Sequence, residues 1–73
     1  MKVRELIRLL RDDSWQLART RGSHRQFKHA TKRGTVTVAG NLGLDVPQGT
    51  LRKILKYAGL NRPRSLNAIR SGD

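Results

Sequence analysis

Val3, Leu6, Ile7 and Leu10 fall at i, i+3, i+4 and i+7, with Arg4, Arg8 and Arg11 between and beyond them. That spacing predicts an amphipathic helix with its apolar stripe on a core and its arginines in water. Asp12-Asp13-Ser14 closes it, because carboxylates are unfavourable at the negative end of a helix dipole. The period then changes. Trp15 and Leu17 alternate with Gln16 and Ala18, which predicts a half-buried strand over residues 15–20. Arg21-Gly22-Ser23 reads as a turn. Residues 24–30, HRQFKHA, read as a second strand anchored by Phe27, and residues 31–34, TKRG, as a short hairpin connection. Residues 35–39 form a third strand, with Val36 and Val38 on one face and Thr35, Thr37 and Ala39 on the other.

Gly40, Gly43 and Pro47 mark a loop. Leu51, Ile54, Leu55 and Ala58 then repeat the helical stripe, while Arg52, Lys53 and Lys56 point outward. Pro47 stands near the start of this second helix. Gly59 stands just past its end, and Leu60 is placed to fold back over it. The order is α-β-β-β-α, an α+β domain. Its three-stranded antiparallel sheet offers one apolar face, so both helices are expected on that face, above Trp15 or Leu17, Phe27, Val36 and Val38. The other face is expected to be polar and open. Residues 1–60 carry this pattern. Residues 61–73 form a tail with Leu66 and Ile69 as its apolar anchors.

At 73 residues the chain supports one domain with a small core. It has no cysteine, so neither a disulfide nor a thiolate zinc site is available. No apolar run approaches the roughly 20 residues of a membrane span, and no membrane partner is expected. The opening MKVRELIRLL is interrupted by Arg4, Glu5 and Arg8 and does not read as a signal-peptide core; a cytoplasmic location is the expectation.

Charge changes the picture more. Sixteen Lys and Arg stand against five Asp and Glu, a formal net charge of +11. No carboxylate lies between Asp13 and Asp45, whereas Arg19, Arg21, Arg25, Lys28, Lys32 and Arg33 do. So one-sided a field suits a polyanion, of which nucleic acid is the commonest. An acidic protein partner would satisfy it too.

If Phe27 faces the core, alternation puts His24, Gln26 and Lys28 on the open face, and Arg25 and His29 on Phe27's side. Gly22 lets a ligand approach the backbone, and Ser23 can hold the turn or bond a phosphate oxygen. Two-metal hydrolysis needs convergent carboxylates, which this region lacks. Zinc needs three or four ligands, and two histidines without cysteine do not supply them. No metal or other cofactor is therefore expected. No nucleophile-elbow pattern for a Ser-His-Asp triad is present. Metal-free cleavage of RNA remains, with the 2′-OH as nucleophile, a histidine moving protons and cations offsetting the charge on phosphorus. The residues alone leave His24 open as a catalyst or as a phosphate contact in a non-catalytic RNA-binding module. His29 reads as half-buried and structural.

The segments ELIRLL, SW, GSHRQFKH, TVTV and GTLRKILKYAGL occur here in the order that resembles HicA (YcfA-like) toxins, over about residues 1–60. The resemblance implies a double-stranded-RNA-binding-domain-like fold and a ribosome-independent mRNA interferase. It implies that His24 is the required histidine. It also implies a HicB-type antitoxin that masks the His24 region and usually carries a DNA-binding domain. On this reading Arg21, Ser23, Arg25 and Lys28 contact phosphates near the scissile bond. Lys32 and Arg33 in the hairpin, and Arg52 and Lys53 on the second helix, extend the track. The free toxin is expected to be monomeric. A degenerate toxin that acts only with its antitoxin is a further reading. The chain departs from the family pattern at VAGNLGLDVP, where many members have a Pro-His-Pro-like segment, and at Ser14, where glycine is frequent.

Overall fold

The computed structural model describes residues 1–60; the tail, with Leu66 and Ile69, lies outside the described residues. The elements are α1 (Val3–Asp12), β1 (Trp15–Arg21), β2 (His24–His29), β3 (Thr35–Ala39) and α2 (Gln48–Tyr57). The three strands form one antiparallel sheet in the order β1-β2-β3. This is the double-stranded-RNA-binding-domain-like α+β arrangement.

The apolar stripes decide the packing. Val3, Leu6 and Leu10 of α1 are buried with Trp15, Phe27, Val36, Val38 and Ala58, and Ile7, Val46, Leu51, Ile54, Leu55 and Leu60 pack around them. Both helices thus share one face of the sheet. Of the two β1 residues expected beneath them, Trp15 is 1% exposed and Leu17 is 44% exposed. Leu17 falls out of the core because β1 is an edge strand and its ladder is broken just beyond, between Leu17 and Arg19.

The loop after β3 has a structural task that its composition did not reveal. It crosses the start of α1, whose first free N–H groups need acceptors. The N–H of Val3 donates to the Leu44 carbonyl at 2.8 Å and that of Arg4 to the Leu42 carbonyl at 3.1 Å. The N–H of Lys2 donates to Glu5 Oε1 at 2.7 Å. At the other end of α1 the chain reverses through Ser14, at φ 75°. A side chain is unfavourable in that left-handed conformation.

α2 ends as its Gly-Leu signal predicts. Gly59 takes φ 78°, its N–H donates to the Lys56 carbonyl at 3.2 Å, and the N–H of Leu60 donates to the Leu55 carbonyl at 2.6 Å. That pair of bonds is a Schellman motif. At the β2–β3 hairpin Gly34 is required twice. Its φ is 84°, and a Cβ there would collide with the Tyr57 hydroxyl.

Candidate active site

The register of the ladder sorts the sheet's side chains into rows, because directly paired residues share a face. One row is Arg21, His24 and Ala39. The next is Arg19, Gln26 and Thr37, and the third is Gln16, Lys28 and Thr35. These rows form the face away from the helices. They contain no carboxylate and no aromatic ring other than the imidazole of His24.

His24 opens β2 directly after a two-residue turn. Gly22 has φ 59° and Ser23 has a negative φ, the arrangement of a type II′ hairpin turn. A Cβ on Gly22 would meet nothing within 4 Å, so conformation and not crowding calls for glycine. The turn is tied down from the neighbouring strand. Gly40 N–H donates to the Ser23 carbonyl at 3.2 Å. Arg25 Nη1 donates to the Gly40 carbonyl at 2.8 Å and the Ser23 carbonyl at 3.4 Å. Arg25 is therefore half-buried on the helix side, and its guanidinium braces the turn that presents His24. It does not join the open face.

The cations expected near His24 divide. Arg21 is directly opposite it in the ladder, with Cα atoms about 5.5 Å apart for such a pair. Lys28 shares the face but stands four residues along β2, about 13 Å away. Arg33 is exposed in the hairpin at the far end of the sheet, one β2 length or about 17 Å from His24. Lys53 lines a cleft of about 260 Å³ with Thr35, Val36, Thr37, Ile54 and Tyr57, along the β3 edge. Arg52 is exposed on α2. Lys32 is the clearest departure. Its Nζ donates to Asp13 Oδ2 at 2.5 Å and to the Ala58 carbonyl at 2.9 Å. It pairs with the acid at the end of α1 and with the Ala58 carbonyl just past α2, on the helix side of the molecule.

The two histidines are now distinct. The side chain of His29 is only 9% exposed. Its Nδ1 accepts from the backbone N–H groups of Thr31 and Lys32, each at 3.1 Å, so Nδ1 carries no proton. Nε2 then carries the proton and donates to the Asp13 carbonyl at 2.6 Å. The ring packs edge-on against Trp15, centroids 5.2 Å apart. Both nitrogens of His29 are occupied, whereas His24 is exposed on the open face. Among the described residues no three His, Cys, Asp or Glu side chains converge as a metal site.

The register also brings Arg19 to the open face, where the sequence pattern does not place it. Strict alternation from Trp15 assigns it to the core side. The available signal was the conflict itself: Arg19 and Arg21 at core-parity positions of an exposed strand.

Fold and site together define a class: a small α+β domain with a basic, carboxylate-free sheet face around a single exposed histidine. The chain belongs to the HicA toxin family of bacterial toxin-antitoxin systems, whose family model matches residues 3–60. A search of the curated proteins returns no match. No helix among the described residues is long and apolar enough to cross a membrane.

Proposed function

We propose that the chain is a metal-independent endoribonuclease that cleaves mRNA, with His24 as its catalytic residue. The single observation that carries this reading is the division between the histidines: one is fully committed to the fold, and the other is exposed opposite an arginine on a face without carboxylates. In the reaction the RNA 2′-oxygen bonds to phosphorus as the bond to the 5′-oxygen breaks, leaving a 2′,3′-cyclic phosphate and a 5′-OH end. The 2′-OH loses a proton and the 5′-oxygen gains one. The imidazole of His24 handles one of these transfers and solvent the other. Arg21, across the ladder from His24, offsets the charge that builds on the phosphoryl oxygens.

The partner on this reading is a HicB-type antitoxin that covers the His24 region. Charge complementarity with the basic face makes the association fast and salt-dependent. The free toxin is monomeric and cytoplasmic.

The test is expression of wild type and His24→Ala in a bacterial host. Wild type arrests growth and degrades mRNA, and the variant does neither; equal arrest by both removes His24 from the chemistry. Cleavage persists in excess EDTA, and complete loss there would contradict the metal-free step. A basic RNA-binding module without catalysis accounts for the same charge, and it predicts binding with no new 5′-OH ends.

A further inference from the structure

The ladder between β1 and β2 has one irregularity, and it decides which cations reach the open face. Leu17 pairs with Phe27 and Arg19 with Gln26, so Ala18 is an extra residue without a partner. Before it, Trp15 and Leu17 take the core side opposite His29 and Phe27. Without the extra residue, Arg19 and Arg21 would continue on that side. With it, both turn to the open face, and Thr20 moves to the core side opposite Arg25.

The outcome is one cation in each row. Arg21 lies in the His24 row, Arg19 in the Gln26 row and Lys28 in the Gln16 row. Successive rows are two residues apart along the strand, about 7 Å. That step is close to the spacing of neighbouring phosphates on an extended nucleic-acid strand. Among the described residues none of the three has a carboxylate partner. The cations step along the strand direction, Arg21 and Arg19 from β1 and Lys28 from β2, on either side of the groove between the two strands.

We propose that Arg19, Gln26 and Thr37 form a second substrate subsite on single-stranded RNA that lies along β2. Arg19 takes the phosphate next to the scissile one, and the Gln26 amide reaches the sugar or base edge of that nucleotide. The strand continues towards Lys28. The proposal rests on the RNA-cleavage reading and adds the strandedness and direction of the substrate. Apart from the His24 imidazole the three rows carry no aromatic ring on which bases could stack, so most of the affinity comes from the backbone. A duplex does not fit this ladder. Duplex readers span about 16 base pairs across two grooves, whereas this face is about 17 Å long.

The experiment uses the full chain carrying His24→Ala, so that the probe survives. A fluorescein-labelled, unstructured RNA oligonucleotide is titrated by anisotropy over a range of salt. Adding Arg19→Ala weakens binding about five- to tenfold at low salt. It also lowers the slope of log affinity against log salt by about 0.7, the share of one single-strand phosphate. Arg19→Lys retains the slope. Arg8→Ala, on the solvent side of α1, changes neither quantity. An Arg19→Ala effect no larger than that of Arg8→Ala overturns the proposal, as does a duplex of the same sequence that binds as tightly as the single strand. Cleavage by wild type and His24→Ala is scored separately. An inactive His24→Ala with no Arg19 effect removes the subsite alone. An active His24→Ala with a clear Arg19 effect removes the catalytic reading and leaves the subsite.

Discussion

Replacing Lys32 by methionine separates a structural cation from an RNA-binding one. The ammonium joins the Asp13 carboxylate to the Ala58 carbonyl, two groups 19 and 26 residues away in the chain. The two side chains are 36% and 30% exposed, so the ionic part is screened and contributes about 0.5–1 kcal/mol. The hydrogen bond to the last turn of α2 contributes about 1 kcal/mol more. Methionine keeps the stem and removes both. The expected loss is about 1.5–2 kcal/mol, which lowers Tm by on the order of 10 °C in a domain of this size. Thermal melts followed by circular dichroism read this directly. A double-mutant cycle with Asp13→Asn isolates the pair, with an expected coupling of about 0.5–1 kcal/mol. RNA binding in the His24→Ala background keeps its salt slope. A Lys32→Met variant with unchanged Tm and a salt slope lower by one phosphate would make Lys32 a substrate contact and overturn its structural role.

Ser14→Gly relieves the left-handed backbone at the end of α1; the gain net of glycine's chain entropy is about 0.5–1 kcal/mol, and Tm rises by about 3–6 °C. Ser14→Ala gives no such gain, and equal melting of the two variants would show that φ is not the source. Arg25→Met removes the brace between Gly40, Ser23 and the turn. Cleavage then falls about ten- to a hundredfold through misplacement of His24, while the salt slope of RNA binding stays the same. A lowered slope would make Arg25 a phosphate contact.

The elements were legible because each rests on local periodicity. The stripes at Val3 to Leu10 and Leu51 to Ala58, and the alternation around Phe27, Val36 and Val38, need no distant partner to be read. The faces of β2 followed from the same rule, so His24 and His29 were told apart by parity alone. What escaped the sequence depends on pairs. The extra residue at Ala18 is a property of β1 and β2 together, and it reverses the side taken by Arg19 and Arg21. The captures of Lys32 by Asp13 and Ala58, and of Arg25 by Gly40, link residues that no local window contains. The cap on α1 is likewise supplied by the carbonyls of Leu42 and Leu44, some forty positions away. Residue type alone counted Lys32 and Arg25 with the substrate cations. In the structure each is held by carbonyls or a carboxylate of the fold, which is what the salt-slope measurements on Lys32→Met and Arg25→Met test.

Chemistry by His24 on RNA is read most directly from strand scission by the purified protein. Purified wild type and His24→Ala, at equal concentration and in excess EDTA, are incubated with an unstructured RNA, and new 5′-OH ends are counted over time. Steady accumulation is expected with wild type, and a rate lower by about a hundredfold or more with the variant, the usual share of a general acid or base. Equal rates from the two proteins would contradict a catalytic His24.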